Sequence, residues 1–150
     1  MTASMDVGHF DGTPDQIPAA RRFVRDAMGG EHPCRDEAVL LASEIATNAV
    51  QHTATGRRSD GGTGAFTVVV VHDDGWVYVQ VIDEGAVTIP CTCGARLDGE
   101  NGRGVALIRE LAWQWGYASR RLGDREHGVV WFVLGRPHDN QLNGQPRPRS

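Results

Sequence analysis

Glu44 and Asn48 stand four residues apart in LLASEIATNAVQHT, a spacing that puts both side chains on one face of a helix. A carboxylate there could orient water or take a proton from an attacking hydroxyl. An amide oxygen one turn away could help hold a hard, oxygen-seeking cation such as magnesium. The same pair also reads as a solvated helix face, or as an asparagine that satisfies neighbouring backbone. Asp83-Glu84-Gly85 follows a valine-rich run, and a carboxylate at a strand's end can accept a hydrogen bond from an exocyclic amine such as that of adenine. An ordinary strand-ending turn would be written with the same residues. Gly102-Arg103-Gly104, followed by Val105, Leu107, Ile108 and Leu111, is a glycine pair opening an amphipathic helix. Small residues let backbone amides approach an anion, and a helix start favours negative charge. The pattern is neither GxGxxG after a strand nor GxxxxGK[ST], so the two common phosphate-loop readings do not apply.

Elements must position these residues. Thr13-Pro14-Asp15-Gln16 predicts a helix start with Thr13 as cap, and Ile17, Ala20, Phe23, Val24 and Ala27 repeat at helical spacing until Gly29-Gly30. A second helix is expected from Asp36 to Gln51, its apolar face Val39, Ala42, Ile45, Ala46, Ala49 and Val50. A connection over 53–64 leads to a hairpin of Ala65 to His72, a turn at Asp73-Asp74-Gly75, and Trp76 to Asp83. The stretch from Glu84 to Asn101 is too long for a plain connection in a compact domain, which points to a functional or disordered loop. A third helix is expected from Gly104 to Trp113, then a hairpin of Tyr117 to Leu122, Gly123-Asp124 and Val129 to Leu134. Clustered strands with intervening helices predict an α+β two-layer sandwich with a mixed, mainly antiparallel sheet and helices on one face.

Composition bounds the function. The 150 residues suit one domain, since domains cluster near roughly 100–150 residues. The net charge of −4 argues against a general phosphate-backbone binder, so direct nucleic-acid contact is not expected. No apolar run approaches a membrane span, no secretory signal is visible, and three cysteines form no disulfide framework, so the cytoplasm is the expected compartment. All 15 basic residues are Arg, read as a GC-rich genomic bias. Residues 1–12 are expected as a flexible N-terminus or short edge strand, 13–137 as the folded domain and 138–150 as a disordered tail.

The order and spacing of the three motifs are more specific than any one of them. Glu44 with Asn48, then Asp83-Glu84-Gly85, then Gly102-Arg103-Gly104 resemble the sequence boxes of the GHKL ATP-binding superfamily of gyrase, histidine kinases and heat-shock chaperones. LLASEIATNAVQHT, with ARRFVRDAM, GRGVALIRELAWQWG and VVWFVLGRP, resembles the bacterial anti-sigma factor serine kinases over residues 13 to 137. The resemblance implies a histidine-kinase-like ATPase domain using ATP and Mg2+. It makes Glu44 the general base and Asn48 the magnesium ligand, has Asp83 read the adenine amine and leaves Gly85 giving the base room. Gly102 and Gly104 would place amides on the phosphates, joined by Arg103 and Val105, with His52 lining the pocket and 84–101 as the ATP lid. The implied partners are a sigma factor, which the protein sequesters, and an anti-anti-sigma STAS-domain protein whose serine accepts the phosphoryl group; relatives also form homodimers.

Three departures set an alternative beside that reading. Val87 holds the last position of Asp-x-Gly-x-Gly, Glu100 stands where sporulation-type members carry Arg, and Val129 replaces a Thr expected near the adenine. These favour a catalytically weak or inactive binding module that regulates by sequestration alone; a sensor-kinase-like fragment ranks third, since no phosphoacceptor helix precedes the ATP region. Among the remaining residues, Cys91-Thr92-Cys93 is short of a zinc site's four ligands. Trp113, Trp115 and Trp131 are expected in the core and sheet packing, and Arg21, Arg22 and Arg25 make a basic stripe suited to solvent or an acidic partner.

Overall fold

The computed structural model describes residues 3–52, 64–84, 103–122 and 125–136. A five-stranded sheet in the order β1-β2-β3-β5-β4 carries the helices on one face. Its strands are β1 (Ser4–Asp11), β2 (Ala65–His72), β3 (Trp76–Ile82), β4 (Gln114–Leu122) and β5 (Arg125–Gly135), and each described pairing is antiparallel. The helices are α1 (Ile17–Met28), α2 (Arg35–His52) and α3 (Arg103–Leu111). This is the α+β sandwich that the pattern predicts, with no parallel pair among the described strands.

Alternation sets the two faces of the sheet. Val77, Val79 and Val81 of β3 align with Leu134, Phe132 and Val130 of β5, and Val68 and Val70 of β2 continue the rows beneath the helices. Leu41, Ala42, Ile45 and Ala46 of α2 and Val24 of α1 fill the layer above, joined by Ile108 of α3. α2 is buried on more than one side because α1, α3 and the sheet all pack against it. The opposite face carries Tyr78 stacked on Trp131, with ring centroids 6.0 Å apart. That tryptophan lies over Gly116, where a Cβ would come within 2.7 Å of the indole, so the edge glycine is covered by its cross-strand neighbour.

The starts of α1, β4 and β5 differ from the expected ones, β5 beginning at Arg125 and not at Val129. Thr13 caps no backbone amide with its side chain; its hydroxyl bonds the Asp15 carboxylate, and Pro14–Gln16 form a 3-10 turn before α1. Pro18 has no N–H to give an α-type bond to Pro14, so Ile17 instead donates to the Pro14 carbonyl in a tighter turn. β4 starts earlier than its alternation suggests, because the Trp113 N–H already bonds the Val133 carbonyl, 2.8 Å away. β1 pairs with β2 over eight consecutive positions, making an edge strand of the N-terminal residues.

The end of the sheet at the β2–β3 turn is tied by three polar side chains. Asp73 accepts the N–H groups of Gly75 and Trp76 on Oδ1, at 2.9 and 3.2 Å. His32 donates from Nε2 to the Asp73 carbonyl at 2.7 Å, with Trp76 O at 3.2 Å, and accepts the Cys34 N–H on Nδ1 at 3.0 Å. His72 donates from Nε2 to the Ala27 carbonyl at the end of α1. Gly135 closes this end with φ +72°, and a Cβ there would lie 2.2 Å from the Gly75 oxygen.

Candidate functional site

α2 places the first pair. Its start is held at the turn end, where Cys34 lies beside Gly135 and His32 grips the β2–β3 turn. The helix packs along β3 and β5, so its C-terminal half extends toward the end where β3 finishes. Glu44 and Asn48 are in that half, one turn apart and half-buried, flanked by buried Ile45, Ala46 and Ala49. Ser43 and Thr47 on the same helix turn their hydroxyls back to the carbonyls of Leu40 and Ser43. His52 is the last residue of α2.

Asp83 follows β3 and is 8% exposed. Its N–H donates to the Gly128 carbonyl at 2.8 Å, its Oδ1 accepts the Gly128 N–H at 3.0 Å, and its carbonyl accepts from His127 Nδ1 at 2.9 Å. The carboxylate lies on the helix-covered side, in line with Val77, Val79 and Val81. Glu84 bonds the Ala65 N–H at the start of β2. Arg103, Gly104 and Val105 form the first turn of α3. That helix ends near the Val133 tie, so its first turn lies about 13 Å away along the helix axis.

The structure thus sets Glu44 and Asn48 in the half of α2 that runs toward Asp83. Gly85 and Gly102 lie outside the described residues, as do Val87, Cys91, Cys93, Glu100, the Gly123-Asp124 turn and the tail. Val129 corrects its expected place. It pairs with Ile82 and, though buried, lies on the sheet face away from the helices with Gln80 and Trp131, while Gly128 is the residue beside the Asp83 carboxylate. Alternation along β5 is the reason: one step in sequence changes the face. Gly128 and His127 were missed because their partner is remote in sequence; the available signal was a glycine inside a strand pattern, which marks a close backbone approach.

Among the described residues no three His, Cys, Asp or Glu side chains gather to hold a metal ion. An amide oxygen beside a carboxylate nevertheless suits a magnesium ion, which usually keeps waters and shares its ligands with substrate phosphates. An acceptor held almost out of solvent suits an exocyclic amine. Away from these residues, burial, and then Glu37, push the Cys34 thiol up, and burial pushes Tyr78 up against the opposing Arg120. No helix among the described residues is long and apolar enough to cross a membrane.

The family model described as histidine kinase-like ATPase domain matches residues 10–133. No curated protein matches the chain.

Proposed function

Given that the chain belongs to the histidine kinase-like ATPase domain family, we propose that it is an ATP-binding regulator of the anti-sigma factor serine kinase kind. In this reading it passes a phosphoryl group to a serine of an anti-anti-sigma STAS-domain partner and sequesters a sigma factor. The observation that supports it is the half-buried Glu44–Asn48 pair on the part of α2 that extends toward the sheet end carrying the nearly buried Asp83.

Each residue has a task there. Asp83 would accept the exocyclic amine of the base. Asn48 would hold the magnesium ion through its side-chain oxygen, and Glu44 would take the proton of the attacking serine hydroxyl. The backbone of Gly102 to Val105 would meet the phosphates at the start of α3, with His52 closing the end of α2. Bound Mg2+-ATP supplies the phosphoryl group and the charge neutralisation; the protein's own share is position and electrostatics. Arg21, Arg22 and Arg25 are all exposed on α1 and offer an acidic partner a positive stripe.

A binding module that has lost its chemistry is the second reading, favoured by Glu100, an acidic residue where an arginine would engage phosphate. Calorimetry with ATP and magnesium tests both. Saturable, magnesium-dependent binding that Asn48→Ala weakens by about tenfold or more is expected. No binding at millimolar ATP overturns the ATP reading. Labelled phosphoryl transfer that survives Glu44→Ala unchanged removes Glu44 from the chemistry, and its absence in the wild type with a serine-bearing partner leaves the binding module.

A further inference from the structure

The chain leaves β3 through two acidic residues that are pinned to opposite neighbours. Asp83 is tied to β5 three times: its N–H to Gly128 O at 2.8 Å, its carbonyl to His127 Nδ1 at 2.9 Å, and its Oδ1 to the Gly128 N–H at 3.0 Å. Glu84 is tied the other way, its carboxylate on the Ala65 N–H where β2 begins. A glycine makes room on each side. A Cβ at Gly128 would stand 2.6 Å from Asp83 Oδ1, and one at Gly64 would stand 1.9 Å from Glu84 Oε2. Backbone conformation does not explain either glycine, since among the described residues only Gly29 and Gly135 have positive φ. Space for a carboxylate explains both.

We infer that His127 and Gly128 are positioning residues that aim the Asp83 carboxylate and thereby set the discrimination between 6-amino and 6-oxo purine nucleotides. The inference rests on the ATP reading above and adds to it the groups that make Asp83 selective. A carboxylate accepts hydrogen bonds and an exocyclic amine donates one, whereas a 6-oxo group sets acceptor against acceptor. The repulsion counts only if the carboxylate cannot turn away. On its own an aspartate has two side-chain torsions with which to do so, and could find the N–H one atom further round a 6-oxo base. The Gly128 N–H holds one carboxylate oxygen, and His127 holds the backbone from which the side chain springs. β5 cannot yield easily, because Gly128 and its neighbours pair with β4 on the far side, Ser119 opposite Gly128 and Ala118 opposite Val129.

The test is to titrate wild type, Gly128→Ala, His127→Ala and His127→Asn with the magnesium complexes of ATP and inosine triphosphate, and to record each Tm. The wild type should prefer ATP by about thirtyfold or more, the scale set by leaving one buried acceptor without its donor. Gly128→Ala, whose methyl displaces the carboxylate, should bring the two affinities within about threefold of each other. His127→Ala should lower the ratio, and His127→Asn, whose side-chain N–H can take over from the ring Nδ1–H, should restore it. If Gly128→Ala fails to fold, the His127 pair carries the test. Variants that lose Tm but keep the wild-type ratio overturn the inference and leave ATP binding intact. A wild type that binds neither nucleotide overturns the ATP reading, and the inference with it.

Discussion

Asp73 and Asp83 are almost equally buried, 7% and 8% exposed, and stand at opposite ends of the same sheet. Asp73 spends its carboxylate within three residues, on the amides of Gly75 and Trp76, and so closes the turn from which it comes. Asp83 spends its carboxylate 45 residues away, on Gly128 of the neighbouring strand. Around Asp73, the rings of His32 and His72 meet edge to face at 5.5 Å and tie the turn to the helix layer. Toward Asp83 run Glu44 and Asn48, half-buried on the C-terminal half of α2. Burial of a carboxylate therefore does not mark a binding site. What separates the two ends is whether the carboxylate serves its own turn or is held in place by a remote strand beneath a helix with polar side chains.

That contrast can be broken most forcefully at the turn end. Gly135→Ala puts a methyl against the Gly75 oxygen in a left-handed backbone, and should cost about 3 kcal/mol or more of stability, read as a lowered urea midpoint. An unshifted midpoint would mean the turn end is not the rigid one. The two aspartates come next. Asp73→Ala removes two charge-assisted bonds, about 2 kcal/mol, and should lower the Tm by roughly 4–8 °C while ATP affinity stays as it is. Asp83→Ala should weaken ATP binding by about tenfold or more. If both variants lose ATP equally, the two ends are not separable. The smallest effect sharpens the comparison by pH. Burial raises the Cys34 thiol above its ordinary 9.0, so the folded state keeps that proton longer than the unfolded chain, and stability falls as pH climbs past 9. Cys34→Ser removes that titration and should flatten the stability curve between about pH 8 and 10; an unchanged slope would assign it to other groups, Tyr78 among them.

Legibility in the sequence followed the same division. The hairpin of β2 and β3 was readable because its signals are local: alternating valines on both arms and an Asp-Gly turn between them. α2 was readable from its period, and the four-residue spacing of Glu44 and Asn48 needed no tertiary knowledge. The clamp on Asp83 was not, because no local rule links residue 83 to residues 127 and 128; only the β3–β5 register brings them together. The misplacement of Val129 has the same origin, since a strand's facing changes with each residue and only pairing decides which parity turns inward. The start of α1 failed for a different reason. Thr13 has the right chemistry for a cap, but two prolines four residues apart leave the first turn short of amides, and the hydroxyl found Asp15 instead.

β1 has a consequence for how the protein comes to be folded. Asp11 pairs with Ala65, 54 positions on, and Ser4 with His72, 68 positions on. At about 5–20 residues per second, a growing chain makes β1 roughly 3–10 s before the nearest residue of its partner strand exists. Through that interval Met5 and Val7, exposed even in the finished protein, have no native neighbour to pair with. α1 and α2, adjacent in sequence and in space, can associate in the meantime. The edge strand is therefore made early and docked late, on a platform that β2 and the helices have already built.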